Sequence, residues 1–101
     1  MNFGLRESLL QDIIEVISKY PDIKRAVIFG SRARGDYRYN SDIDIAVFTS
    51  QDTQVSGNLL FNLEELDCLY RFDVVDAGTV NNANLLNAIE VQGIEIFRRQ
   101  A

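Results

Sequence analysis

A short run of alternating acids and isoleucines, Asp42-Ile43-Asp44-Ile45, constrains the fold of this chain more than any other stretch. Residues two apart on a strand point to the same face of a sheet. The run therefore predicts a strand over Ile43–Phe48. Its isoleucines enter a core, and its two carboxylates project together from the opposite face.

Two like charges on a rigid strand repel each other. At ~4 Å the repulsion is about 1 kcal/mol in water and about 4 kcal/mol at an effective dielectric of about 20. A shared proton or a cation relieves it, and Mg²⁺ suits such a pair because it prefers oxygen ligands and retains waters for phosphates. An Asp-x-Asp pair also occurs in calcium loops and in glycosyltransferases. Two solvated acids on an exposed strand face are an equally compatible interpretation of the pair alone.

A third acid strengthens the metal interpretation. Asp73 lies between Phe72 and Val74 in a strand predicted over 72–75, where an unpartnered charge is costly. If this strand neighbours the second one, three carboxylates converge. Such a set suits a two-metal site for phosphoryl or nucleotidyl transfer, in which one carboxylate also acts as base. Asp76 projects from the opposite strand face and is interpreted as a turn residue.

The absence of histidine from all 101 residues excludes a Ser-His-Asp triad and a Cys/His zinc site. The one cysteine, Cys68, rules out an internal disulfide and is interpreted as a small core residue. The length indicates a single domain, 1–101. A net charge of -5 argues against direct nucleic-acid binding. The chain shows no signal peptide or membrane span, so we expect a cytoplasmic protein.

Hydrophobic periodicity predicts the other elements. We expect helices over 5–19, 59–70 and 84–91, and strands over 25–29, 43–48, 72–75 and, at a sheet edge, 94–97. Ser56 or Asn58 is the expected N-cap of the second helix. The fold class is α/β (α+β), with a small mixed sheet of three to four strands flanked by helices. Strand order does not follow from this pattern.

The first strand ends in Gly30-Ser31, and one helical turn is expected to follow it. A glycine admits close backbone approach, and a helix start offers free N–H donors to an anion. The pair can thus cradle a phosphate, although a plain turn and N-cap is the commoner use of Gly-Ser. Of the nearby Arg32, Arg34 and Arg38, the first is expected to contact the nucleotide because it follows the pair directly. Arg38 is interpreted as a solvated charge.

The spacing of these residues resembles a known family. Gly30-Ser31, ten intervening residues and Asp42-x-Asp44 are arranged as in the nucleotidyltransferase superfamily that includes DNA polymerase beta. The string GSRARGDYRYNSDIDIAVF is similar to minimal nucleotidyltransferases, and FDVVD resembles their third-carboxylate strand. The resemblance implies that Gly30 and Ser31 hold nucleotide phosphates. It also implies that Asp42 and Asp44 bind Mg²⁺, and that Asp73 completes a site of two ions and serves as base.

The same resemblance implies a partner. Minimal nucleotidyltransferases are commonly paired with a helical HEPN-domain protein, and act as antitoxins by transferring AMP from ATP to a hydroxyl of that ribonuclease toxin. Larger superfamily members carry an extra helical domain that helps to hold the base or the second substrate. In this chain the corresponding wall of the site comes from a partner, from a second copy of the chain, or not at all. Two alternatives stay open. The chain can be a non-catalytic module that neutralises a helical partner by occlusion, or a nucleotide sensor.

Overall fold

The computed structural model describes residues 2–66 and 69–100, so the prediction for Cys68 lies outside the described residues. Within them the elements follow the predicted order. They are α1 (Glu7–Ser18), β1 (Ile23–Phe29), α2 (Ser31–Arg34), β2 (Ile43–Thr49), α3 (Ser56–Glu64), β3 (Phe72–Asp76), α4 (Ala83–Gln92) and β4 (Ile94–Arg98). Single 3-10 turns follow β2 and β3. None of the helices in this part of the chain is long and apolar enough to span a membrane.

The four strands form one mixed sheet in the order β3-β2-β1-β4. β1 runs antiparallel to both of its neighbours, and β2 and β3 are parallel. The third strand lies beside the second, which is the condition under which three carboxylates were expected to converge. The predicted edge position of the last strand is confirmed. In this register Asp44 stands directly beside Asp73, so the two acids share one sheet face.

Local sequence explains where α1 ends and where α4 begins. In α1 the buried residues Leu9, Leu10, Ile13 and Ile17 form one apolar stripe, and Pro21 disfavours further helix because the residue before a proline avoids the helical region. The amide of Leu85 donates to the Asn82 side chain at the start of α4.

The predicted cap of α3 is wrong. The helix begins at Ser56, its N-cap position is Val55, and no side chain at that position caps it. Instead the carboxylate of Asp76, at the end of β3, accepts hydrogen bonds from the amides of Val55 at 2.9 Å and Ser56 at 3.2 Å. An acid near a helix N-terminus is stabilising. Asp76, interpreted above as a turn residue, is thus a buried cap supplied by a distant strand.

The sheet is covered on both faces, with unequal cores. The larger cluster lies between the sheet and helices α1 and α3, and includes Ile28, Ile43, Ile45, Leu59 and Leu63. The smaller one lies under α4 and consists of Val27, Phe29, Ala46, Ala77 and Ile89. Asp44 belongs to the strand face with the smaller core, because it alternates with Ile43 and Ile45. The isoleucines are buried as predicted.

Candidate active site

The predicted site residues meet at one end of the sheet, where β1 finishes and β2 and β3 start. Phe29, the last residue of β1, pairs with Asp44, which in turn stands beside Asp73. Gly30 follows Phe29 directly and leads into the four-residue helix α2. The antiparallel pairing of β1 with β2 and the parallel pairing of β2 with β3 therefore place the Gly30-Ser31 turn and the acids together.

Gly30 touches the central carboxylate. Its φ of 75° and ψ of -154° lie in a region open essentially to glycine. A Cβ added there would lie 2.3 Å from Oδ2 of Asp44, too close for any side chain. Glycine is thus needed both for the backbone conformation and for this approach. The turn proposed to receive a phosphate and the carboxylate proposed to hold a metal lie side by side.

The surroundings of Asp44 disfavour its charged form. Burial raises the pKa of its carboxyl from 3.8 to about 6, helped by the negative charges of Asp73 and Asp42, while Arg34 and Arg32 act in the opposite direction. Asp42 and Asp73 are exposed, and Asp44 is half-buried. Both neighbouring acids are thus close enough to repel Asp44, so the charged site favours a proton or a cation.

The donor set fits Mg²⁺ in its chemistry. Within residues 2–66 and 69–100, no three His, Cys, Asp or Glu side chains are arranged as a ready-made metal cluster. The negative charges of Asp42 and Asp73 act on Asp44, and a cation among the three carboxylates would offset this repulsion. A hard divalent ion requires oxygen ligands and room for waters. The three carboxylates supply the oxygens, and the exposure of Asp42 and Asp73 leaves room for waters. The residues present therefore fit the ion that the resemblance implies.

Arg32 is placed differently from the expectation. Its side chain is 1% exposed and donates to the backbone carbonyls of Phe3, Tyr39 and Ser41, at 2.9 Å, 3.3 Å and 3.0 Å. A guanidinium has five N–H donors, and four contacts to carbonyls already occupy this one. This placement favours a role inside the protein over the predicted contact with nucleotide.

Arg34 is the exposed arginine beside the acids. It donates to Asp36 at 3.3 Å and to Gln92 at 3.1 Å, and its charge lowers the pKa of Asp44. Sequence reasoning did not select Arg34. The signal that could have found it is helical geometry, since residues two apart on a helix project to nearly opposite sides. Arg38 is exposed, as expected.

The carboxylates do not lie in the cavity of about 340 Å³ that the structure contains between α1 and α3. That cavity is lined by Val16, Lys19, Tyr20, Asn62, Glu65 and Leu66. It lies on the sheet face of the larger core, whereas Asp44 and Asp73 share the other face. Since Asp42 and Asp73 are exposed, the candidate active site is open to solvent at the end of the sheet.

Comparison with known proteins connects this geometry to a family. The family described as Polymerase beta, Nucleotidyltransferase matches residues 11–101. In Methanocaldococcus jannaschii, the protein named "Putative protein adenylyltransferase MJ0604" is 34% identical over 83 residues, which cover 80% of this chain and 78% of that protein.

Two solved structures have the same fold. One is a toxin-antitoxin with AMP-PNP, with a TM-score of 0.73 and 24% identity over 95% of this chain and 76% of that one. The other is a tri-AMPylated Shewanella oneidensis HEPN toxin in complex with MNT antitoxin, with a TM-score of 0.72 and 20% identity over 94% and 74%. The fold and the family predicted from the Gly-Ser and Asp-x-Asp spacing are thus confirmed, and the chain belongs to the polymerase beta nucleotidyltransferase family and is a nucleotidyltransferase.

Proposed function

We propose that the chain transfers AMP from ATP to a hydroxyl of a HEPN-domain partner protein in a Mg²⁺-dependent reaction, as the antitoxin of a toxin–antitoxin pair. One observation carries the proposal. The Gly30 backbone touches Asp44, and Asp44 stands in register with Asp73. A phosphate on the turn would therefore lie beside the carboxylates that hold the ions.

In this proposal Asp42, Asp44 and Asp73 hold one or two Mg²⁺. The ions supply charge stabilisation for the attacking and leaving oxygens of the transfer. The chain positions the nucleotide with the hydroxyl of Ser31 and with the amides of Ser31 and Arg32 at the start of α2. The amides of Ala33 and Arg34 already donate to the Gly30 carbonyl. Arg34 is the cation that reaches the phosphates, because its guanidinium is exposed beside the site.

The proton of the acceptor hydroxyl needs a base. We assign this role to Asp73, which is exposed to an incoming substrate. A bond forms between the acceptor oxygen and the α-phosphorus of ATP, and the bond from that phosphorus to the pyrophosphate oxygen breaks. The hydroxyl proton passes to the Asp73 carboxylate, and pyrophosphate leaves.

The relatives support the choice of acceptor. A protein adenylyltransferase name for a 34% identical relative favours a protein hydroxyl over a small molecule. The similar folds occur in toxin-antitoxin complexes, one containing an AMPylated HEPN toxin and another AMP-PNP. By extension from these relatives, we propose a HEPN-domain partner and ATP as the substrates of this chain.

Intact-mass spectrometry of the partner tests the proposal. The HEPN-domain protein that co-purifies with this chain is incubated with it, Mg²⁺ and ATP, and we expect a mass gain of whole AMP units. Asp42→Asn and Asp44→Asn should each remove the gain while leaving the complex intact. Glu95→Gln is the matched control, because this acid pairs with Arg25 and Arg98 instead. No gain with the original chain, in an undisturbed complex, would favour neutralisation by occlusion.

A further inference from the structure

Arg32 is the centre of a set of contacts next to the candidate active site. Its guanidinium donates twice to the carbonyl of Ser41, through Nε at 3.2 Å and Nη2 at 3.0 Å. Nη1 donates to Phe3 and Nη2 also to Tyr39. We call this set the site joint: the Arg32 side chain with the carbonyls of Phe3, Tyr39 and Ser41.

Arg32 contacts the backbone just before Asp42 and an aromatic ring just before Asp73. Ser41 immediately precedes Asp42, so the doubled hydrogen bond fixes the peptide that carries this metal-binding candidate. The guanidinium also lies over the ring of Tyr70, 5.2 Å from its centroid, and Tyr70 comes shortly before Asp73. Arg32 itself follows Ser31. One side chain thus connects the phosphate turn, Asp42 and the start of β3.

Tyr37 and the N-terminal residues Phe3 and Gly4 pack around the site joint. Tyr37 lies over the guanidinium at 5.1 Å and packs so tightly on Gly4 that a Cβ there would lie 2.3 Å from the Tyr37 ring. Phe3 supplies both a carbonyl and a side chain that is 4% exposed. A buried cation needs its donors satisfied, and here the loop that leads into Asp42 provides most of the acceptors.

We infer that Arg32 is a positioning residue that holds Asp42 in place for Mg²⁺ binding. The inference rests on the proposed metal site, but it concerns this chain's own backbone and can be measured without a partner. Groups that orient metal ligands change metal affinity by about 10- to 100-fold when they are removed. A lysine keeps the charge but not the planar fork that reaches three carbonyls.

The chain offers a matched control at the other end of β1. Arg99 donates to the carbonyls of Ser18, Tyr20 and Ile23, at 3.0 Å, 3.0 Å and 2.9 Å, and lies 5.2 Å from the Phe97 ring centroid. We call this set the distal joint. It too is a guanidinium that donates to three carbonyls, but these carbonyls lie between the last residue of α1 and the first residue of β1.

The experiment compares Arg32→Lys with Arg99→Lys in the isolated chain. Mn²⁺ binding is followed by electron paramagnetic resonance, and amide hydrogen exchange without metal is followed over 36–43. We expect Arg32→Lys to weaken Mn²⁺ binding by about 10-fold or more and to speed exchange in that segment. Arg99→Lys should leave both at the values of the original chain, even where its thermal midpoint falls.

A folded Arg32→Lys with unchanged Mn²⁺ affinity overturns the inference, as does equal weakening by Arg99→Lys. If Arg32→Lys does not fold, Tyr37→Ala decides, because it loosens the site joint from an exposed loop position. Weaker Mn²⁺ binding by Tyr37→Ala supports the inference and unchanged binding overturns it. A chain that binds Mn²⁺ through Asp44 but transfers no AMP rejects the proposed reaction alone. A chain without Asp44-dependent Mn²⁺ binding overturns the positioning role.

Discussion

The two ends of the sheet use charged side chains in opposite ways. At the distal end, Arg99 donates to three carbonyls and the Asp76 carboxylate accepts from two amides of α3. Both of these charged side chains are thus hydrogen-bonded to backbone groups. At the site end, Arg32 likewise donates to backbone carbonyls, but the negative charges of Asp42 and Asp73 repel that of Asp44. This difference supports the proposal that the site end binds a ligand, since in the described part of the chain its acids lack the partners that the charges of the distal end have.

Substitution of two glycines, Gly30 at the site and Gly57 in α3, should give the largest difference in effect. Gly30→Ala should reduce AMP transfer by about 100-fold or more, since a misplaced reactive centre costs rate steeply. It should also lower the free energy of unfolding by about 1–3 kcal/mol, because its backbone conformation is nearly exclusive to glycine and a Cβ would collide with Asp44. Activity by the intact-mass assay and stability by urea unfolding measure the two effects.

Gly57→Ala is the control for that substitution. Gly57 lies in α3, and a Cβ there meets nothing within 4 Å. Alanine is a better helix former than glycine by about 1 kcal/mol, so stability should rise slightly and transfer should not change. A loss of activity equal to that of Gly30→Ala would contradict the contrast.

At the distal end, Asp76→Ala should separate stability from chemistry. The substitution removes the acceptor of the Val55 and Ser56 amides, and loss of a helix cap typically costs about 1–2 kcal/mol. Urea unfolding should register that loss. Mn²⁺ affinity should be unchanged at temperatures where the variant is folded, because Asp76 projects from the sheet face opposite Asp73. Weakened Mn²⁺ binding would show that the two ends are not independent.

These contrasts also show what could be predicted from the sequence. The alternation of Asp42 and Asp44 with isoleucines predicted β2. The family was predicted from the Gly30-Ser31 pair, the ten intervening residues and Asp42-x-Asp44 taken together. The register that pairs Asp44 with Asp73 was beyond local pattern, because strand order depends on the packing of all elements. Helical geometry implies that Arg32 and Arg34 point apart, but the carbonyl of Phe3, distant in sequence, favours the burial of Arg32.

The cap of α3 illustrates the same limit. Ser56 and Asn58 are good N-cap residues by local rules, yet the amides there are satisfied by Asp76, 20 residues further along the chain. A carboxylate brought by another strand competes with any local side chain. Local sequence therefore predicted that a helix would form, while tertiary structure decided how its first turn is satisfied.

The smallest expected effect is on the pH dependence of stability. Between pH 3.8 and about 6 the folded chain keeps a proton on Asp44 that the unfolded chain has lost. Rising pH through this window therefore removes stability, by no more than about 1 kcal/mol once solvent screening is allowed for. Urea unfolding in EDTA should show this loss in the original chain and not in Asp44→Asn.

Glu95 should behave in the opposite sense. Hydrogen bonding to Arg98, and then to Arg25, lowers the pKa of its carboxyl from 4.5. The stability that it contributes is present above pH 4.5 and is lost as the pH falls through the lowered pKa. Glu95→Gln should therefore flatten the acid limb of the urea-unfolding profile and leave the Asp44 window unchanged. If Glu95→Gln and Asp44→Asn gave the same pH profile of stability, the assignment of the two pH windows to Glu95 and Asp44 would be contradicted.

Anomalous diffraction from crystals of the chain with Mn²⁺ and AMP-PNP tests the account most directly. We predict Mn²⁺ density bounded by Asp42, Asp44 and Asp73, with the nucleotide phosphates on Gly30 and Ser31 and the Arg32 guanidinium still on the Ser41 carbonyl. Mn²⁺ and nucleotide bound away from this end of the sheet, with the three acids free of metal, would contradict it.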